Sequence, residues 1–171
     1  QARKDALVEY ALPLNIQGLE RDLKKYRITY DNWFRESTLH NDGSVAQVIK
    51  KLKDLGYTYE QDGATWFKAS KFGAEKDFVI VRANGIPTYV VPDIAYHYNK
   101  LVTRGFDKAI DVLGADHHGY VPRLKAALKA LGVDTNKLDA VIMQMVRLVR
   151  NGETVKLSKR SGKAITLVTL L

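Results

Sequence analysis

Cysteine is absent from the 171 residues. That removes disulfides, thiolate metal sites and cysteine nucleophiles at once, and it suits a reducing compartment such as the cytoplasm. No apolar run reaches the ~18 residues that a membrane-spanning helix needs, so no membrane partner is expected. The opening residues, Gln1-Ala2-Arg3-Lys4-Asp5, are not followed by the apolar stretch of a signal peptide. An initiator Met is lacking as well, so an internal piece of a longer protein is expected. Proline occurs only 4 times, and each occurrence punctuates the chain.

Hydrophobic residues make up 46% and charged residues 27% of the sequence, the balance of an ordinary globular protein. A chain of ~150 residues buries roughly 70% of its unfolded surface, enough for one compact core. Lys and Arg number 27 against 19 Asp and Glu, a net charge of +8. Such an excess favours an anionic partner such as nucleic acid or nucleotide, though a basic solvated surface has the same composition.

The first segment reads as helical, with Pro13 interrupting it because proline lacks an amide donor and crowds the preceding turn. Leu19, Leu23 and Tyr26 then recur at helical spacing. Ser44 to Gln47 has the pattern of a capping box, opening a helix with Val45, Val48, Ile49, Leu52 and Leu55 on one face and Gly56 at its end. Asp62-Gly63 lies between Tyr57-Thr58-Tyr59 and Thr65-Trp66-Phe67, which predicts a hairpin. A second hairpin is expected from Phe78–Val81 through Asn84-Gly85 to Thr88–Val91, with Pro87 making its return strand an edge or a strand start.

After Pro92 the character changes. A helix is expected from Asp93, then a short apolar strand Ala109–Leu113, a helix from about Tyr120 to Leu131, and a buried strand Ala140–Val149. Strand, helix, strand in that order implies a parallel unit. A turn at Asn151-Gly152 precedes the basic stretch Lys156-Leu157-Ser158-Lys159-Arg160-Ser161-Gly162. Ligands of open α/β sheets bind at the carboxyl ends of strands, and Gly114-Ala115-Asp116-His117-His118-Gly119 falls there, against the N-terminus of the next helix.

Several residue sets have the chemistry of a site. Lys156, Lys159, Arg160 and Lys163, interleaved with Ser158, Ser161 and Gly162, can cradle a phosphate; by composition the same stretch is also an ordinary basic turn. Glu36 follows the aromatic pair Trp33-Phe34, and Asp93 follows Pro92, where it could equally be a helix cap. Tyr89 stands four residues before Asp93, and His97 one helical turn after it, within hydrogen-bonding reach. Asp116-His117-His118 contains metal-ligating residue types, but adjacent histidines point apart and no further ligands are identified, so no protein-bound metal is expected.

The stretch Lys156–Gly162 resembles the Lys-Met-Ser-Lys-Ser loop of class I aminoacyl-tRNA synthetases. Leu157 replaces the Met, and Arg160 stands where the last Ser would be. Four further stretches resemble arginyl-tRNA synthetases in the expected order: Tyr30–Ser37, Gly85–Tyr89, Pro92–His97 and Gly114–Tyr120, with Arg104–Asp107 fitting as well. The resemblance covers nearly the whole chain. It implies an α/β fold, namely the second half of a class I nucleotide-binding, Rossmann-like fold carrying a helical and hairpin connective insertion. Residues 1–76 would be the insertion and residues 77–171 the nucleotide-fold half.

The resemblance also implies roles. Lys156 and Lys159 would be catalytic, contacting ATP phosphates as pyrophosphate leaves. Gly114, Asp116, His118 and Ser158 would join them around ATP, which enters with Mg²⁺ as substrate. Glu36, Tyr89, Asp93 and His117 would hold L-arginine, whose guanidinium needs a carboxylate partner; which of Asp116, His117 and His118 faces that pocket stays open. The partners implied are arginine, ATP and tRNA(Arg), for a cytoplasmic and monomeric parent enzyme. An uncharged amino acid would not need both Glu36 and Asp93, which separates this reading from a neighbouring synthetase. A manganese phosphoesterase is a weaker fit, since no Asp-x-Asp pair precedes residue 116. A non-enzymatic RNA-binding module would bind tRNA with strong salt sensitivity and hold no arginine.

The sequence contains neither the His-x-Gly-His signature with which class I synthetases grip ATP nor the family's early Asn-bearing strand. Phosphoryl transfer rests on positioning and charge neutralisation, so half an ATP site is expected to be inactive. An aminoacylation assay on these residues alone should show no arginine-dependent charging of tRNA above background, and measurable charging would overturn that expectation.

Overall fold

The computed structural model describes residues 2–154 and 166–170. Packing divides the chain into two compact units, one taking in Gln1–Phe34 and Arg147–Leu171, the other Arg35–Val146.

In the first unit, helix α1 (Ala2–Lys25) runs through Pro13 without a break, against the sequence expectation. The helix buries none of its residues. The carbonyl that Pro13 leaves without a donor, on exposed Glu9, therefore faces water, which limits the cost of the lost bond. Of the predicted apolar face, Leu23 and Tyr26 are half-buried while Leu19 stays exposed. The Tyr26 hydroxyl donates to the Leu167 carbonyl at 2.5 Å, tying the end of α1 to the 3₁₀ turn Leu167–Leu170. A short hairpin pairs Val149–Arg150 with Glu153–Thr154 around Asn151-Gly152, both with positive φ, as the dipeptide predicts.

Among the described residues, every buried apolar side chain belongs to the second unit. It opens with α2 (Ser37–Asn41) and α3 (Ser44–Asp54), on which Val45, Val48 and Leu52 turn inward at helical spacing. Ser44 does not cap α3 as predicted. The carboxylate of Asp42 accepts from the Ser44 amide at 2.8 Å, because Gly43 at φ +82° folds it back over the first turn. The Ser44 hydroxyl and amide hold the Asp42 carboxyl below its usual pKa.

Strands β1 (Thr58–Gln61), β2 (Ala64–Phe67) and β3 (Phe78–Val81) form one antiparallel sheet in that order. Thr65 and Phe67, with Phe78 and Ile80, alternate into the core. The expected division between residues 76 and 77 falls between β2 and β3, which pair directly.

The second hairpin closes only in part. Arg82 donates to Ile86 and Thr88 to Ile80, with one bridge between Val81 and Pro87. Instead of a return strand, α4 begins at Val90 and runs to Tyr98. Asp93 thus lies in its first turn, not at its cap. Proline costs a strand one ladder bond but costs the first turn of a helix nothing, and Val90, Val91, Ile94 and Ala95 are buried from the helix.

A π-helical turn, Asn99–Thr103, extends α4. Then β4 (Ala109–Gly114), α5 (Val121–Ala130) and β5 (Leu138–Met143) form the predicted parallel unit, in register from Ala109↔Leu138 to Gly114↔Met143. Gly132 ends α5 at φ +81°, letting the Val133 amide reach back to the Leu128 carbonyl at 3.0 Å. The predicted buried strand Ala140–Val149 is corrected: β5 stops at Met143 and alternates, because only one face of the β4–β5 pair turns inward. Ile110, Val112, Val141 and Met143 stay exposed on the other.

No helix among the described residues is long and apolar enough to cross a membrane. The burial contrast between units sets an expectation for stability. Leu128 is fully buried and Leu19 is 54% exposed. Leu128→Ala should cost about 2–5 kcal/mol and Leu19→Ala less than about 0.5 kcal/mol, read by urea unfolding. Equal losses would contradict the packing described.

Candidate functional site

Helix α4 sets Asp93 and His97 one turn apart on one face. His97 is 3% exposed, and each of its ring nitrogens meets an acceptor. Nδ1 lies 2.8 Å from the Asp93 carbonyl and 3.3 Å from Asp93 Oδ1, while Nε2 lies 2.6 Å from Asp111 Oδ2 on β4. Lys100, in the π-helical turn, donates to Asp111 Oδ1 at 3.0 Å. Its Nζ is also 3.1 Å from His97 Nε2, but both nitrogens are donors, and Asp111 is the acceptor they share.

Tyr120, just ahead of α5, donates its hydroxyl to Asp93 Oδ2 at 2.6 Å. Tyr89, just ahead of α4, stacks on the Tyr120 ring with centroids 6.0 Å apart. The His117 ring stands edge-on to Tyr120 at 6.2 Å. Asp93, Tyr89, Tyr120 and His117 therefore form one continuous cluster, with His97, Asp111 and Lys100 behind it. The Asp93 side chain is 35% exposed and Tyr89 is 70% exposed, so the front of the cluster is open to solvent.

The charges follow from this geometry. Burial pushes the His97 pKa down, but hydrogen bonds to Asp111 and Asp93 outweigh it and raise the pKa to about 9, despite the nearby Lys100 charge. Burial raises both carboxyls, and their hydrogen bonds, led by those from His97, hold them below the usual range. Burial, then the Asp93 charge, pushes the Tyr120 hydroxyl far up, so it stays a donor. At neutral pH the set has two cations, His97 and Lys100, and two anions, Asp93 and Asp111. An ionised carboxylate beside an exposed aromatic face suits a planar cation, which can pair with one and lie on the other.

The other expected site residues are placed less closely. Glu36 precedes α2, with a 72% exposed side chain whose ion-pair partner is His40 at 3.9 Å. Among the described residues no hydrogen bond or ion pair joins Glu36 to the Asp93 cluster. Gly114 ends β4, and a Cβ there would come 2.6 Å from Oδ1 at the tip of the exposed Asp116 side chain, in the following turn Ala115–His117. Asp116 is 82% exposed and lies 3.1 Å from His117 Nδ1. His118 and Gly119 border an open hollow of about 450 Å³ with Lys76 and Arg123. Lys156, Ser158 and Lys159 lie outside the described residues. No group of three or more His, Asp or Glu side chains among the described residues is placed to hold a metal ion.

Sequence reasoning missed Tyr120, Asp111 and Lys100. Asp111 had a signal: an acid inside the apolar run Ala109-Ile110-Asp111-Val112-Leu113 must find a partner when the strand is buried.

A model described as tRNA synthetases class I (R), catalytic domain, matches residues 12–171. The arginine–tRNA ligase of Caldanaerobacter subterraneus subsp. tengcongensis is 56% identical over 171 residues, which is 100% of this chain and 30% of that protein. That of Acetivibrio thermocellus is 56% identical with the same coverage. A solved structure from Campylobacter jejuni, described as an arginyl-tRNA synthetase, superposes with a TM-score of 0.85 at 36% identity, covering 96% of this chain and 35% of that one. An arginyl-tRNA synthetase structure from Plasmodium falciparum gives 0.63 at 17% identity over 77% of this chain and 22% of that one, a likeness of fold alone. The chain thus spans about 30% of the length of the curated relatives it matches.

The buried histidine predicts an alkaline loss of stability. Its folded pKa of about 9 exceeds the ordinary histidine value of 6.5, so the stabilisation is fully present below pH 6.5 and disappears as pH rises through about 9. The difference corresponds to roughly 3 kcal/mol. Asp93 and Asp111, held low, act in the opposite direction and lose their contribution only as pH falls below the ordinary carboxylate range. Urea unfolding at about pH 6 and about pH 10 should show the alkaline loss, and His97→Phe should flatten it. An equal slope in both proteins would contradict the assignment.

Proposed function

This chain belongs to the class I tRNA synthetase (R) catalytic-domain family, and from that premise we propose that it forms the arginine-recognition part of an arginine–tRNA ligase. In this reading the parent enzyme joins the arginine carboxylate to the α-phosphate of ATP, releasing pyrophosphate. The terminal ribose hydroxyl of tRNA(Arg) then takes the arginyl group and AMP leaves. Asp93 pairs with the guanidinium, Tyr89 lies along it, and His117 borders the pocket. Glu36 is the second arginine ligand. Gly114, Asp116 and His118 are assigned to ATP, and so are Lys156, Ser158 and Lys159, which lie outside the described residues, the two lysines neutralising phosphate charge as pyrophosphate departs. Residues 1–76 act as the connective insertion and residues 77–171 as the second half of the nucleotide fold. ATP enters with Mg²⁺, the protein holds no metal of its own, and the parent works as a cytoplasmic monomer.

The observation that carries this reading is the Asp93 cluster: an ionised, one-third exposed carboxylate, held by Tyr120, on whose ring the exposed ring of Tyr89 stacks. A carboxylate has about four acceptor positions; Tyr120 uses one on Oδ2, and Oδ1 has the His97 ring as an ion-pair neighbour at 3.3 Å. The rest match the parallel donors of a guanidinium.

In the full-length enzyme, Asp93→Asn should raise KM for arginine by about 10- to 100-fold, the loss of one charge-assisted interaction. KM for ATP should change less than about 2-fold. An unchanged KM for arginine in a folded variant would remove Asp93 from the site.

A further inference from the structure

We propose that His97 is a positioning residue for amino-acid recognition, clamping the Asp93 carboxylate in its binding direction by bonding helix α4 to Asp111 of β4. The inference rests on the reading of Asp93 as the arginine-binding carboxylate and adds what sets that carboxylate's geometry.

His97 is nearly inaccessible, so it touches no substrate. Its value lies in having two donors on opposite sides of one rigid ring. Nδ1 donates to the Asp93 carbonyl at 2.8 Å and stands 3.3 Å from its Oδ1 as an ion pair, and Nε2 donates to Asp111 Oδ2 at 2.6 Å. Asp111 is in turn fixed by Lys100. With Tyr120 bonded to Oδ2 and the His97 ring 3.3 Å from Oδ1 as an ion pair, the two oxygens of Asp93 have different partners. Rotation of the carboxylate about its last bond would break the bond to Tyr120 and carry Oδ1 away from the imidazole charge.

The clamp also sets the spacing between elements. α4 carries Asp93, and β4 carries Asp111 three residues before Gly114, where the turn with His117 begins. One imidazole therefore fixes the acid relative to the strand end that presents the rest of the pocket. A site residue held by bonded neighbours binds with less ordering cost than a free one. No apolar side chain can replace both bonds. An amide can replace one: Gln extends a donor towards Asp111, and Asn keeps one near Asp93.

The test uses the full-length enzyme, with KM for arginine, ATP and tRNA, kcat, and thermal unfolding measured together. His97→Gln should raise KM for arginine by about 3- to 10-fold, the value of one lost hydrogen bond. His97→Phe should raise it further, while KM for ATP and tRNA stay within about 2-fold. Asp111→Asn, which keeps the size of the side chain, should fall in the Gln range and serves if His97→Phe does not fold. A purely structural histidine would lower the folded fraction, reducing the apparent kcat and leaving KM for arginine unchanged; that outcome in His97→Gln and Asp111→Asn overturns the proposal. Asp93→Asn separates the two levels. If it leaves KM for arginine unchanged, the arginine reading falls, and if it raises KM while the His97 and Asp111 variants do not, only the clamp falls.

Discussion

A charged imidazole out of water is stable only if its charge and both its N–H groups are matched. At His97 the N–H groups are matched by the Asp93 carbonyl on α4 and the Asp111 carboxylate on β4, and the charge by the carboxylates of both residues. Lys100 balances the second carboxylate and Tyr120 satisfies the first. Each partner is costly to bury alone: Asp111 without His97 would be an acid inside an apolar strand, and His97 without Asp111 would keep an unpaired donor. Together they form an electroneutral set that specifies how α4, β4 and the start of α5 meet. Apolar packing of Ile94, Leu124 and Leu138 holds these elements together, but such contacts tolerate sliding that the hydrogen bonds forbid.

Much of the fold was legible because local chemistry and tertiary packing agreed. Asp62-Gly63 demanded a tight hairpin and both residues adopt positive φ. Ala109–Leu113, a helix closed by Gly132, and a second apolar segment could hardly be anything but a parallel unit. The failures share a cause. Pro13, Ser44 and Thr88–Val91 were read from rules about one residue and its neighbours. Tertiary context decided otherwise: an exposed helix hydrates the carbonyl that Pro13 frees, Gly43 takes the cap position expected of Ser44 and lets the Asp42 carboxylate accept from the Ser44 amide, and Val90 and Val91 reach the core from a helix. The over-long strand at Ala140–Val149 failed because apolar content does not reveal which face is covered; Met145 and Val146 are apolar and exposed.

The site was less legible than the fold. Asp93, Tyr89 and His117 were singled out, and they form one cluster with Tyr120 between them. What joins them is a tyrosine assigned only to a helix start, and no spacing rule brings residue 120 to residue 93. His97 could be expected to face Asp93 from the helical repeat. Its second bond, to Asp111, crosses from helix to strand and is invisible to any periodicity. The strand itself offered the hint, since one acid in a buried apolar run implies a partner of opposite charge.

The two acids offered by the sequence differ in how they are prepared for a ligand. Glu36 is free to move: its side chain is mostly exposed and meets His40 only at 3.9 Å. Ordering it on a ligand costs side-chain entropy that an exposed ion pair hardly offsets. Asp93 is already ordered, with Oδ2 bonded to Tyr120, Oδ1 3.3 Å from the His97 ring and about a third of the side chain open to solvent. A neutral amino acid would gain little from such a group, whereas a guanidinium presents two parallel donors to it. On the proposed arginine reading, selectivity for a planar cation depends on the carboxylate staying both charged and unrotated. The Asp93 charge owes its persistence to the hydrogen bonds that oppose burial, and the same bonds fix its orientation. Charge and direction at this acid are thus not independent properties, since both depend on the imidazole behind it.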